Sequence, residues 1–143
     1  MEKYRIGYTT GVFDMFHIGH LNVLKKAKEM SDILIVGIST DELVLNYKGR
    51  RPIIPFEDRL SIVESVRYVD KVVPQTTLNK LEAWRELKFD ALFHGSDWAD
   101  TELYRNMIEQ FKPLGVDVVF FPYTEGISSS ELRKKGCQID SNM

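Results

Sequence analysis

Apolar and polar positions along the chain fall into blocks whose period changes repeatedly. Tyr4 to Thr10 is a β-prone run, and Leu21, Leu24, Ala27 and Met30 then fall on one helical stripe, predicting a strand and a helix from Leu21 to Met30. Ile33 to Ser39 is a nearly continuous β-branched run, the pattern of a strand buried on both faces of a parallel sheet. Thr40-Asp41-Glu42 predicts the cap of a short helix to Leu45, and the basic stretch Asn46 to Pro52 predicts a loop. Pro55 opens another helix, with Leu60, Val63 and Val66 facing inward. Beyond it, Lys71 to Pro74 predicts a third strand, Leu78 to Leu87 a helix, and Ala91 to His94 a fourth strand. Asp100 to Lys112 reads as helix and Val116 to Phe121 as a fifth strand. Ser128 with Glu131 forms a capping box for a last helix to about Lys135.

Five strands separated by helices on short connections predict an α/β fold, a doubly wound, Rossmann-like and mainly parallel five-stranded sheet. One domain is expected over residues 1–135, with a patternless, mobile tail at 136–143. In such sheets ligands bind beyond the carboxyl ends of the strands, near the switch in strand order. The distinctive polar segments fall there: Thr10 to His20 after the first strand, Gly95 to Trp98 after the fourth, Thr124 to Ser130 after the fifth.

Composition narrows the partners. With 43% hydrophobic residues, 28% charged residues and a net charge of −2, the chain reads as a soluble globular protein. That charge balance argues against a general nucleic-acid binder, although Lys48, Arg50, Arg51 and Arg59 form a local basic cluster suited to a small anion. The single cysteine, Cys137, has no internal disulfide partner. No charged-then-apolar leader opens the chain and no apolar run approaches the ~20 residues of a membrane span. A cytoplasmic location without a membrane partner is therefore expected.

The stretch Gly11-Val12-Phe13-Asp14-Met15-Phe16-His17-Ile18-Gly19-His20 joins the first strand to the first helix. A strand, a tight glycine turn and a helix start together form a layout that receives phosphate on backbone amides. Gly11 permits a turn or a close ligand approach. Asp14 suits hydrogen bonds that fix the loop more than it suits a metal, and Phe13 and Phe16 read as core. His17 and His20, three apart, face the same way. They admit three readings: a structural pair, a zinc site that would have to recruit His94 and Asp14, or phosphate contact. Their place beside Gly11 and a helix start favours phosphate. Thr124 to Ser130 reads as a second candidate phosphate cradle at a helix start or as an N-cap alone, the two being compatible, and Lys48-Gly49-Arg50-Arg51 could cover a polyphosphate.

These residues resemble a known family. Gly11-Val12-Phe13-Asp14 with His17-Ile18-Gly19-His20 is similar to the HxGH motif of the nucleotidyltransferase superfamily. Lys48-Gly49, Arg67-Tyr68-Val69-Asp70-Lys71-Val72-Val73, Gly95-Ser96-Asp97-Trp98 and Thr124-Glu125-Gly126-Ile127-Ser128 narrow the resemblance to cytidylyltransferases, most of all the bacterial glycerol-3-phosphate type. It spans Tyr4 to about Lys135.

The resemblance implies transfer of CMP from CTP to a small phosphorylated alcohol, glycerol 3-phosphate preferred, by attack on the α-phosphate and loss of pyrophosphate. It implies Mg²⁺ carried by the CTP phosphates rather than by a protein metal site, and a homodimer formed around Arg67 to Val73. By matching position His17, His20, Lys48 and Arg59 would be catalytic. Thr10, Gly11, Val12, Phe13, Gly19, Arg67, Asp97, Trp98, Thr124, Gly126, Ile127, Ser128 and Ser129 would bind the nucleotide. One departure stands out: Tyr123 occupies the place of the family's arginine, which implies weaker nucleotide binding, a changed acceptor, or compensation by Arg50 or Arg51. Phosphoethanolamine, phosphocholine or another polyol phosphate are alternative acceptors. Adenylyl transfer to FMN and a non-catalytic nucleotide-binding module are the more distant alternatives.

Overall fold

The computed structural model describes residues 3–95 and 101–122. The chain runs β1 (Tyr4–Gly11), α1 (Ile18–Glu29), β2 (Ser31–Ser39), α2 (Asp41–Lys48), α3 (Phe56–Glu64), β3 (Lys71–Gln75), α4 (Lys80–Leu87), β4 (Ala91–Gly95), α5 (Glu102–Phe111), a 3-10 turn (Lys112–Leu114) and β5 (Asp117–Phe121). All five strands are parallel, in the order β3-β2-β1-β4-β5. The chain winds outward from β1 to β3, then crosses back to place β4 on the other side of β1. The switch in direction leaves a crevice at the carboxyl ends of β1 and β4.

Both faces of the sheet are covered, which is why the central strands read as continuous apolar runs. On one face Leu24 and Ala27 of α1 and Val63 of α3 pack on Leu34, Val36, Ile38, Ala91 and Phe93. On the other, Tyr104, Met107 and Phe111 of α5 pack on Tyr8, Ile35 and Leu92. Pro74, which cannot donate to a ladder, is tolerated because β3 is an edge strand.

Element boundaries moved where caps were hidden. α1 begins at Ile18, three residues before the expected Leu21, because His17 supplies its N-cap. α2 continues through Lys48 into the expected loop and stops at Gly49, whose φ of 76° only glycine adopts without strain. α4 starts at Lys80 behind Asn79, and α5 at Glu102 behind Thr101, each cap accepting a backbone N–H. The expected helix after Ser128 and the tail at 136–143 lie outside the described residues. Among those described, no helix is long and apolar enough to cross a membrane.

Candidate active site

The turn after β1 is held in a conformation that local preference alone would not choose. Phe13 and Met15 have φ of 54° and 50°, left-handed values that cost non-glycine residues about 1–3 kcal/mol each. Asp14 between them is buried, and its two carboxylate oxygens accept the backbone N–H groups of Ile53 and Ile54, each at 2.9 Å. The turn is thereby tied to the segment that follows Lys48 to Arg51, and Asp14 takes the loop-fixing role its type suggested. The room a Cβ at Gly11 would need is filled by the Phe13 ring, 3.0 Å away.

His17 is the extended N-cap of α1, and its Nδ1 accepts the Gly19 N–H at 3.0 Å. The His17 N–H in turn donates to His20 Nδ1 at 3.2 Å. The two imidazoles thus form a reciprocal capping box, the role usually played by Ser/Thr and Glu. Their rings stack with centroids 3.9 Å apart, and Phe13 and Phe16 each lie 5.3 Å from the His20 ring. Burial lowers the pKa of His17, and takes that of His20 down to about 3 with help from the neighbouring His17. Both rings are therefore neutral at pH 7. A backbone N–H can only donate, so each Nδ1 is unprotonated and each ring carries its proton on Nε2. The Gly19 amide, expected to meet nucleotide, is instead engaged by His17. The pair relays the donating end of the helix through Nδ1 to Nε2–H, which polarises both Nε2 donors.

The other expected residues divide by location. Thr10, the penultimate residue of β1, has its Oγ1 3.0 Å from His94 Nε2 of β4. Lys48 is the exposed last residue of α2, beside exposed Arg50 and Arg51. Arg59, expected to hold phosphate, is fully buried. Its Nε donates to Ile54 O at 2.8 Å, its Nη1 to Val12 O at 2.7 Å and Ser39 O at 2.8 Å, and its Nη2 to Asp41 Oδ1 at 2.7 Å. With its donors turned to the protein, it cannot also serve as a phosphate-binding cation. Arg67, expected at the nucleotide, precedes β3 at the opposite end of the sheet. There the neighbouring Asp70 accepts the Leu34 N–H near the start of β2, and Arg67 itself donates to the exposed Tyr68 hydroxyl. Helix α3 carries it away from the strands' carboxyl ends. Asp97, Trp98, Tyr123, Thr124, Gly126, Ile127, Ser128 and Ser129 lie outside the described residues. Among the described residues, no three His, Cys, Asp or Glu side chains converge as a metal site.

A cation the sequence reading missed lies nearby. Lys80, the first residue of α4, is only 5% exposed, and its Nζ has Gln75 Oε1 at 3.4 Å as partner. Burial lowers its pKa to about 8, and its charge adds to the burial that takes His94 down to about 3. Lys80 lines a cavity of about 260 Å³ with Tyr8, Gln75, Thr77, Asn79, Glu82 and Glu86 among others. One signal was available: a lysine directly after an N-cap sits at the helix end that repels cations.

Residues 8–135 match the family model described as cytidylyltransferase-like. The chain is 42% identical over 116 residues to an FAD synthase of Pyrococcus abyssi, covering 79% of this chain and 77% of that one. It is 34% identical to the glycerol-3-phosphate cytidylyltransferase of Bacillus subtilis, covering 89% and 93%. It is also 34% identical to the bifunctional protein HldE of Helicobacter hepaticus, covering 92% of this chain but 26% of that protein. The fold matches the lipopolysaccharide core biosynthesis protein of Thermoplasma volcanium with a TM-score of 0.69 at 24% identity, over 85% of this chain and 97% of that one.

Proposed function

The chain belongs to the cytidylyltransferase-like family and is a nucleotidyltransferase; from that premise we propose that it transfers CMP from CTP to a small polyol monophosphate, glycerol 3-phosphate first. An oxygen of the acceptor's phosphate bonds to the α-phosphorus of CTP while the bond from that phosphorus to the bridging oxygen of the β-phosphate breaks. A CDP-alcohol forms, and pyrophosphate leaves with the electron pair. No covalent enzyme intermediate is needed, so the protein contributes position and charge.

The Nε2–H groups of His17 and His20 donate to phosphate oxygens, more strongly as charge develops there. Lys48 adds a mobile positive charge between the two substrates. Thr10, Gly11, Val12 and Phe13 line the nucleotide's side of the crevice, with Asp97, Trp98, Thr124, Gly126, Ile127, Ser128 and Ser129 assigned by resemblance. Mg²⁺ enters as part of the nucleotide substrate, held by triphosphate oxygens. Both Asp14 oxygens already accept N–H groups. The homodimer expected from the resemblance stays part of the proposal.

The observation that carries the acceptor is the buried Lys80. It is an ammonium with an amide oxygen for a partner, in a small cavity whose hydroxyl and amide side chains share the lining with the carboxylates of Glu82 and Glu86 and with apolar residues. An incoming monophosphate supplies Lys80 with a counter-charge at contact distance, and a polyol matches the polar side chains of the lining. At about 260 Å³ the cavity suits a small acceptor. The 42% identity to an FAD synthase supports adenylyl transfer to FMN as the second reading.

Pyrophosphate release, measured with CTP or ATP against glycerol 3-phosphate, phosphoethanolamine, phosphocholine and FMN, separates them. Release with CTP and glycerol 3-phosphate is the expected result. Release with ATP and FMN alone would replace the proposal with the second reading.

A further inference from the structure

Arg59 sits on the inward face of α3, one turn before the fully buried Val63. An aliphatic side chain there would avoid the desolvation that a buried guanidinium carries. Its four bonds do not end in the core. They end on Val12 O in the turn that leads to His17, on Ile54 O in the segment after Lys48 to Arg51, on Ser39 O at the end of β2, and on Asp41 at the start of α2. Asp14 ties the same two segments a second time through Ile53 and Ile54. The left-handed Phe13 and Met15 on either side of Asp14 persist only because their surroundings over-determine them.

We infer that Arg59 is a positioning residue: without touching substrate, it sets the His17–His20 turn and the Lys48 segment in one register. The inference rests on reading that turn as the phosphate-transfer site. Val12 and Ile54 belong to segments without regular structure, and hydrogen bonds from this guanidinium and to Asp14 join the two segments. A misplacement of about 1 Å in such a site costs turnover about 100-fold.

Arg59→Lys tests it. Lysine keeps a charge facing Asp41 but has no planar fork to reach the Val12 and Ser39 carbonyls together. The folded variant is expected to show moved imidazole ¹⁵N resonances for His17 and His20. Its kcat should fall at least about ten-fold, with KM for CTP within about threefold, as an orientation defect requires. A folded variant with wild-type imidazole resonances and kcat within about twofold overturns the inference. Should Arg59→Lys not fold, Asp14→Asn carries the same test, since it weakens the tie to Ile53 and Ile54 and leaves α3 intact; the same readouts are expected to move, and the same unchanged result overturns. Absence of turnover in the wild-type protein would remove the functional reading alone, because the resonance comparison needs no activity.

Discussion

Lys80→Met should stabilise the free protein and destroy acceptor recognition, two effects of opposite sign from one side chain. Burial lowers the Lys80 pKa from 10.5 to about 8. At 1.36 kcal/mol per unit, that drop corresponds to about 3 kcal/mol of lost stability. The unfolded chain binds more protons between pH 8 and 10.5, so wild-type stability climbs through that interval and the full penalty acts below pH 8. Methionine keeps the length and apolar volume without the charge. Urea unfolding at pH 7 should therefore show a gain approaching about 3 kcal/mol, and the climb above pH 8 should flatten. Removing one member of a buried charge pair costs about 2–5 kcal/mol. The acceptor's kcat/KM should accordingly fall about 30- to 4,000-fold. Glycerol 3-phosphate at 100 times its Kd should stabilise the wild type by about 2.7 kcal/mol and leave the variant unmoved. An acceptor KM within threefold of wild type, or a variant less stable than wild type at pH 7, would refute the reasoning.

The remaining expectations are briefer. His17→Asn keeps a good N-cap acceptor for Gly19 but has no Nε2 donor, so stability should change by less than about 1 kcal/mol while kcat falls about 100-fold or more; unchanged kcat in the folded variant would end the phosphate role. His20 and His94, both with pKa lowered to about 3 from 6.5, bind protons readily only when the chain unfolds. Their contribution to stability is complete above pH 6.5 and is lost as pH falls toward 3, so the urea midpoint should drop between pH 7 and 5, and His94→Gln should reduce that slope. Gly49→Ala should cost about 1 kcal/mol, because the α2 C-cap needs φ near +76° although the space around it is open; no loss in thermal unfolding would count against a glycine requirement there. Sedimentation at micromolar concentration should report a dimer, and a monomer would remove that part of the proposal.

The alternation of apolar runs with helical stripes sufficed for the five parallel strands, because burial on both faces leaves a continuous signature in strands such as Leu34 to Ser39. The turn was legible through Gly11, although the helix begins at Ile18 rather than at the expected Leu21. That the histidines cap the helix with Nδ1 was not legible, since histidine is not a usual capping residue. Arg59 was assigned to phosphate because a charged residue on a helix shows its period but not whether a counter-charge waits on the buried side; Arg67, expected on the same helix, lies in the turn beyond its end at Glu64.

The same distinction sorts the buried cations into two kinds. Arg59 meets Asp41 at 2.7 Å and three backbone carbonyls, so its charge is complete within the fold and it needs no ligand. Lys80 is as well buried, yet among the described residues no carboxylate lies within 4.0 Å of it, and its pKa falls where burial acts without a partner. A cation in that condition costs the free protein stability, and an anion that enters the cavity returns it. The neutral histidines offer donors without adding charge, and among the described residues Lys80 has no carboxylate in contact although Glu82 and Glu86 line the same cavity. An acceptor carrying a phosphate can therefore pair with Lys80 at contact distance, which the dephosphorylated alcohol cannot do. Glycerol should accordingly neither stabilise the protein nor compete with glycerol 3-phosphate, whereas inorganic phosphate should do both weakly; competition by glycerol would place the recognition in the hydroxyl and amide lining instead of in Lys80.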